Sequence, residues 1–356
     1  MRVLRPALLL LGVATFVALI LRNDPAAVLA SMAHLSWRLL LVLCIPAIPV
    51  VLLETLGWRF VFTHERPPFS TLVASRLAGE AFNLTTPTAA LGGEAVKAWL
   101  LRGRVPIDVS VPSVIIAKTT ITIAQALFLL VGLLGAARLA VPESRLFSAM
   151  PWVLITEAMA LGVFVLAQSR GLLGWAGRML GQLGLDSLRD HAAVARIDAR
   201  LVHFYRREPA HLLLSIGCFL VAWLLGALET WMVLRFLGVE VSLVTATVIE
   251  AFVAAVKFTV FFIPAGLGAV EGGYLATFAA LGLSPTAALS LSLTRRIREA
   301  VWVGIGLLAF ALMRAPDQRL RGGQGAGAAV PPAESPGADG VGASTSGERR
   351  RHVGPW

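Results

Sequence analysis

Long apolar runs alternate with short polar breaks along this chain. Six stretches, about 6–22, 37–58, 111–136, 149–168, 211–236 and 286–313, are long and apolar enough to cross a hydrocarbon core of roughly 30 Å as helices. Two further apolar stretches are interrupted. One, about 70–104, breaks at Thr85-Thr86-Pro87; the other, about 244–282, breaks at Pro264. A broken backbone at membrane depth is tolerated only where it is buried in protein or lines a cavity. The segment 169–209 reads differently. Leu172, Trp175, Met179 and Leu183, then Val194, Ile197, Leu201 and Phe204, recur at helical spacing among arginines. That pattern predicts two amphipathic helices lying on one membrane face.

Composition agrees with the pattern. The 356 residues are 57% hydrophobic and 15% charged, with mean hydropathy +0.77. Soluble domains carry nearer a quarter charged residues, so the fold class expected is an all-α polytopic membrane protein. The net charge of +10 is accounted for by basic loops on the cytoplasmic side and calls for no nucleic acid. Cys44 and Cys218 each lie inside an apolar helix, and the six histidines form no ligand-spaced pair. No disulfide framework, metal site or cofactor is expected. Arg2 and Arg5 before the first run resemble a signal peptide, but Arg22, Asn23 and Asp24 interrupt before a cleavage site, which favours a first membrane helix.

Basic residues set the orientation. Arg2 and Arg5, Arg59 and Arg66, Lys97, Arg102 and Arg104, and seven arginines within 169–209 fall on one side. Both termini and 169–209 are therefore expected in the cytoplasm. Basic residues flank the 70–104 stretch on both sides, so both its ends face inside. Glu240 and the uncharged 282–285 flank the 244–282 stretch, so both its ends face outside. Each is then a re-entrant hairpin. From Arg314 the chain is rich in Gly, Ala, Pro and Ser, so 314–356 is expected to be a disordered tail after a membrane domain of 1–313.

The two interrupted stretches repeat one another. Pro87 and Pro264 stand 177 residues apart, and each is followed seven residues later by a glutamate, Glu94 and Glu271. Seven residues before each proline stands a charge, Glu80 or Lys257. Twenty-four residues after each glutamate stands a cation inside a span, Lys118 or Arg295. The spans before each hairpin run in opposite senses by the charge rule. The chain thus reads as inverted repeats, about 6–136 and 149–313, each with broken helices at mid-depth, an arrangement typical of transporters.

Charge at membrane depth is costly and marks function or internal pairing. Here it comprises Arg76, Glu80, Glu94, Lys97, Lys118, Glu250, Lys257, Glu271 and the cluster Thr294–Glu299, with Arg295, Arg296 and Arg298. Two readings stand side by side. The arginines cradle an anionic headgroup such as phosphate, or they pair internally, Glu271 with Arg295 and Glu94 with Lys118. Helical geometry puts Arg295, Arg298 and Glu299 on a related face and turns Arg296 away. Glu54 and Glu229 read as structural pairs. Trp37, Trp58, Trp152 and Trp175, near span ends, read as interface anchors. Protonation of Glu94 or Glu271 is a candidate link to a proton gradient.

The segments GEAFNLTTPTAALGGEAVKAWLLRGR, VIIAKTTITIAQALF and FIPAGLGAVEGGYLATFAALGLSPTAALSLSLTRRIREAVW resemble the lysylphosphatidylglycerol synthase transmembrane-region family. That family includes the flippase domain of the bacterial multiple peptide resistance factor and the hopanoid-biosynthesis-associated membrane proteins, to which the last segment is most similar. The resemblance covers nearly all of 1–313. It implies translocation or export of a lipid in the bacterial inner membrane, with Gly92, Gly93, Glu94, Pro264, Gly266, Gly268, Glu271, Arg295 and Arg296 at the hairpin site. The resistance factors carry a soluble aminoacyl-transferase domain after the membrane part; here only the tail follows, so no synthesis of lysyl-lipid is expected.

Three functions remain open at this stage. The first is a flippase or exporter of a polar or anionic lipid. Its site would draw on the residues above: Arg76, Glu80, Gly92, Gly93, Glu94, Lys97, Lys118, Lys257, Pro264, Gly266, Gly268, Glu271, Arg295, Arg296 and Arg298. The second is a non-catalytic accessory protein partnering lipid-biosynthesis enzymes. The third is a small-solute transporter. A membrane-embedded transferase would need an acidic metal cluster or a paired nucleophile and base, and the sequence offers neither, so the chain is not read as an enzyme.

Overall fold

A computed structural model of the chain describes residues 14–15, 17–22, 26–28, 30, 41, 45–86, 92–139, 145–170, 191–260 and 263–325. Among the described residues every regular element is helical. In chain order these are α1 (Ala47–Val61), α2 (Phe69–Thr85), α3 (Gly92–Leu101), α4 (Ile107–Arg138), α5 (Arg145–Ser169), α6 (His191–Arg207), α7 (Pro209–Phe236), α8 (Leu243–Thr259), α9 (Ala269–Ala280) and α10 (Pro285–Gly325). A 3-10 turn, Pro264–Gly266, precedes α9. Residues up to Arg314 form one compact unit, and Ala315–Trp356 a second.

Three of the helices are long and apolar enough to cross a membrane: Ile107–Arg138, Ser148–Ser169 and Pro209–Phe236. They coincide with the expected spans 111–136, 149–168 and 211–236. The expected span 37–58 appears from residue 47 as α1, whereas 6–13 and most of 31–44 lie outside the described residues. The span 286–313 is helical within α10, but Arg295, Arg296, Arg298 and Glu299 interrupt its apolar run. α10 continues to Gly325, into the stretch whose composition suggests a tail. The exposed side chains are themselves apolar: Trp152, Met159 and Val163 on α5, and Leu213 on α7. Such a belt is favourable in lipid and unfavourable in water.

Both expected breaks are present. α2 ends at Thr85, and Thr86 is already extended; α8 ends at Thr259 and α9 begins at Ala269. The elements after each break recur at the 177-residue offset, with Gly92 opening α3 and Ala269 opening α9. α2 and α3 pack antiparallel at close range. A Cβ at Gly93 would run into the carbonyl oxygen of Gly79 and the side chain of Asn83. α8 and α9 pack through Ile249, Val253, Val270, Tyr274 and Phe278, with Val256 against Gly273.

Two long helices cross the interrupted stretches. α4 packs on α8, with Gly132 against Ala251. α10 meets α2 in the same way: Gly306 lies against Leu77 and Ala81. Phe310 of α10 also meets the rings of Phe82 and Trp99, at centroid distances of 4.9 and 6.0 Å. α1 and α7 pack on each other. The α2–α3 pair is therefore held by α10, and the α8–α9 pair by α4.

α6 has the expected amphipathic character. Leu201 and Phe204 are buried against Val61 and Ile116, with Ile197 alongside, and Arg200 reaches Asp108 at 3.2 Å. The partner helix expected within 171–190 lies outside the described residues. Trp58 departs from its expected place at an interface. It is 2% exposed, and its indole N–H donates to Ser113 at 3.3 Å. α1 turns that ring inward because α2, α3 and α4 close over it. Trp152 is exposed, as an anchor would be; Trp37 and Trp175 lie outside the described residues.

The close glycine approaches make a direct prediction. Gly93→Ala and Gly306→Ala should each lower unfolding stability by about 1–3 kcal/mol through overpacking. Gly162→Ala, where an added Cβ meets nothing, should leave stability within about 0.5 kcal/mol. Thermal unfolding in one detergent checks all three.

Candidate functional site

The charged side chains of the first hairpin form a chain of ion pairs. Arg76, buried on α2, pairs with Glu54 of α1 and lies 4.0 Å from Glu80, one turn along its own helix. Lys97, buried on α3, donates to Glu80 at 2.9 Å and to Glu94 at 3.1 Å. Lys118 of α4, half exposed, stands 3.9 Å from Glu94. Glu94 is the third residue of α3, where a carboxylate favours the positive end of the helix. Asn83 ties the hairpin together. Its side-chain oxygen accepts from the Gly93 N–H at 2.9 Å, and its amide donates to Glu94 at 3.4 Å.

The second hairpin uses the same position differently. Glu271 is also the third residue of its helix, α9, and is fully buried. It accepts from the N–H of Gly268 at 2.7 Å, from Arg296 Nε at 2.8 Å and from Ser292 at 3.3 Å. Arg296 also donates to the carbonyl of Ala265 at 2.9 Å and to Glu299 at 3.0 Å. One guanidinium thus pins the whole tip to α10. The tip needs holding. Ala265 has φ 52°, a left-handed conformation that costs about 1–2 kcal/mol outside glycine, while Gly266 and Gly268 take φ 59° and 78° without that cost. The turn Pro264–Gly266 also rests against α2.

Behind the tip lies a buried polar knot. Arg295 donates to Glu250 of α8 at 2.8 Å and to Thr230 of α7 at 2.7 Å, and reaches the Gly226 carbonyl at 3.2 Å. Thr230 donates in turn to Glu250 at 3.0 Å. Arg298, one turn further along α10, pairs with Glu229 of α7. Lys257 of α8 forms no ion pair among the described residues and stands in the field of Glu299, Arg295, Glu250 and Arg298.

The two charge systems meet across a cavity. A half-open space of about 210 Å³ lies between α1, α2 and α10. Its lining includes Glu54, Arg76, Glu80, Arg298 and Glu299, drawn from all three helices; the rest is apolar, including Val50, Val51, Leu77, Leu84, Trp302 and Val303. A smaller space of about 30 Å³ adjoins Arg76, Glu80, Glu94, Lys97 and Lys118. The arrangement offers two guanidinium groups beside three carboxylates at the edge of an apolar surface. Among the described residues no group of three or more His, Cys, Asp or Glu is placed to hold a metal.

One expected pairing is wrong. The partner of Glu271 is Arg296, not Arg295, because Arg295 turns toward α7 and α8 while Arg296 faces the α9 tip. The Glu94–Lys118 approach is present at 3.9 Å. Arg76, Glu80 and Arg298 line the larger cavity; Gly92, Gly93, Gly266 and Gly268 shape the tips; the backbone of Pro264 opens the second tip. Sequence reasoning missed Asn83, Thr230 and Ser292. Asn83 carried a signal, a lone amide in an apolar arm, whereas Thr230 and Ser292 look like ordinary helix residues until folding brings a charge to them.

Residues 7–307 match the family model for the lysylphosphatidylglycerol synthase TM region. The chain is also 22% identical over 311 residues to a UPF0104 membrane protein of Methanothermobacter thermautotrophicus, covering 82% of this chain and 89% of that one. No solved structure matches.

The buried knot sets an energetic expectation. Arg295→Met leaves Glu250 buried without its cation and should cost about 3–5 kcal/mol, as should Glu250→Leu. The double variant should recover most of that loss, since it removes both charges. A double-mutant cycle of unfolding free energies in detergent reads the coupling directly; equal losses in single and double variants would contradict it.

Proposed function

The chain belongs to the lysylphosphatidylglycerol synthase TM region family, and from that premise we propose that it moves a lipid with a polar or anionic headgroup across the membrane. The observation that carries this reading is the lining of the α1–α2–α10 cavity. Its charged groups suit a headgroup, and its apolar side chains suit the start of an acyl chain. A transporter of a small polar solute would place polar groups all round its ligand. Here the greater part of the lining is apolar, which favours an amphiphile.

On this reading both breaks are re-entrant hairpins entering from opposite sides, within inverted repeats that hold about six spans, and both termini face the cytoplasm of a bacterial cell. The recurrence of helix bounds at one offset and the exchanged packing of α4 on α8 and α10 on α2 support an inverted repeat. Alternating exposure would come from one hairpin loosening against the closing helix of the other repeat. We read the chain as a carrier without bond-making chemistry: the carboxylates that Ser292 and Thr230 meet, Glu271 and Glu250, are already held by Arg296 and Arg295. Arg76 and Arg298 are the groups we assign to the headgroup, since both border the cavity. Arg295 and Arg296 hold the frame.

The test is mass spectrometry of lipids that co-purify with the protein. Val50→Trp fills the apolar wall and leaves every ion pair in place. The wild type should retain one lipid class above its share of the membrane, and the variant should lose at least about tenfold of it, a change of roughly 1.4 kcal/mol in binding. An identical, unselected lipid complement in both would overturn the reading.

A further inference from the structure

Glu157 belongs to neither charge system. It lies in the apolar span Ser148–Ser169, is 0% exposed, and neither carboxyl oxygen has a hydrogen-bond partner. Every other carboxylate discussed above is held by a cation. Glu94 and Glu271, the acids the sequence nominated for protonation, are paired with Lys97 and Arg296. An ionised carboxylate without a partner in an apolar interior is prohibitively costly, and such a group is neutral instead.

The surroundings leave that conclusion standing. α5 packs on α4, α6, α8 and α9. Lys118 on α4 approaches Glu94, and Arg138 ends that helix. Tyr205 on α6 donates to Gln168, and Arg200 reaches Asp108. Glu250 on α8 is held by Arg295 and Glu271 on α9 by Arg296, while Lys257 stands among the α10 charges. None of these groups hydrogen-bonds Glu157. Its neighbours one turn back, Val153 and Leu154, pack into the cluster around Phe128 and Phe252.

One polar feature shares its stripe of α5. Gln168, also 0% exposed, donates to Thr119 at 3.2 Å and accepts from the Tyr205 hydroxyl at 2.8 Å. Next to it, Ser215 donates to Thr120 at 3.0 Å. This buried relay begins at α6 and stops eleven residues short of Glu157, about 16 Å along the helix.

We propose that Glu157 is a proton-binding site, neutral in this packing, that exchanges its proton with water admitted from the Gln168 end when α5 shifts against α4. The carboxyl O–H breaks, its electron pair stays on the carboxylate, and the proton leaves on water; uptake reverses this. Placing that exchange inside a transport cycle rests on the lipid reading above. The proton site itself does not.

The test uses the full chain in phospholipid vesicles. Infrared difference spectra between acidic and alkaline pH should show the C=O band of a protonated carboxyl that disappears on the alkaline side. The isosteric Glu157→Gln variant should lack it. As a measurement free of any folding question, wild-type vesicles are treated with dicyclohexylcarbodiimide, an apolar reagent that couples to protonated carboxyls. Peptide mass spectrometry should place the adduct on Glu157, with labelling falling as pH rises. A wild type without the band, or a band and adduct unchanged from acid to alkali, would sink the proposal. Neither readout needs lipid movement, so a failed proton site and a failed lipid reading give separate results.

Discussion

Charge inside an apolar bundle has to be neutralised by the protein, and the architecture follows from how that is done. Lipid offers no polar partner, so Arg76, Lys97, Arg295, Arg296 and Arg298 take carboxylates or carbonyls of the protein. Arg296 shows how far one such group reaches. It holds Glu271, the Ala265 carbonyl and Glu299 together, and so fixes a left-handed turn, a helix N-terminus and a long helix against one another. Arg295 ties α7, α8 and α10 in the same way. Ion pairs of this kind add little net stability over well-packed apolar groups, but a missing partner is heavily penalised. They therefore select one arrangement of the helices more than they strengthen it.

Close backbone packing completes what the charges begin. Gly79 and Gly93 let the arms of the first hairpin touch, and Gly306 does the same for α10 against α2. Dispersion between closely fitted helices is the main attractive force left once lipid removes the hydrophobic drive. Small residues at these crossings and paired charges beside them serve the same end. They hold the hairpins at a defined depth while leaving a cavity between α1, α2 and α10.

Much of this was legible in the chain. The 177-residue offset located both hairpins, because proline and glycine dictate backbone breaks wherever they fall. The amphipathic face of α6 was legible for the same local reason. What failed was pairing across helices. Arg295 and Arg296 are neighbours in sequence but leave the helix about 100° apart, and which of them meets Glu271 depends on the rotation of α10, a tertiary property. Trp58 was misplaced because a tryptophan near a span end reads as an anchor until the helices that cover it are known. Glu157 was in plain view as a single acid in an apolar run, yet it is not one of the positions that the 177-residue offset brings into register, and a search guided by that offset passes over it.

The exchanged packing has a consequence for how such a chain can exist at all. α4 lies on α8 of the second half, and α10 on α2 of the first. Neither half carries the surface that covers its own hairpin. A chain ending after α5 would expose the faces of α2 and α4 that the other half now buries, and it could cover them only against a second copy of itself. The two halves of the chain cover one another. Its assembly is complete only when the last helix has been made.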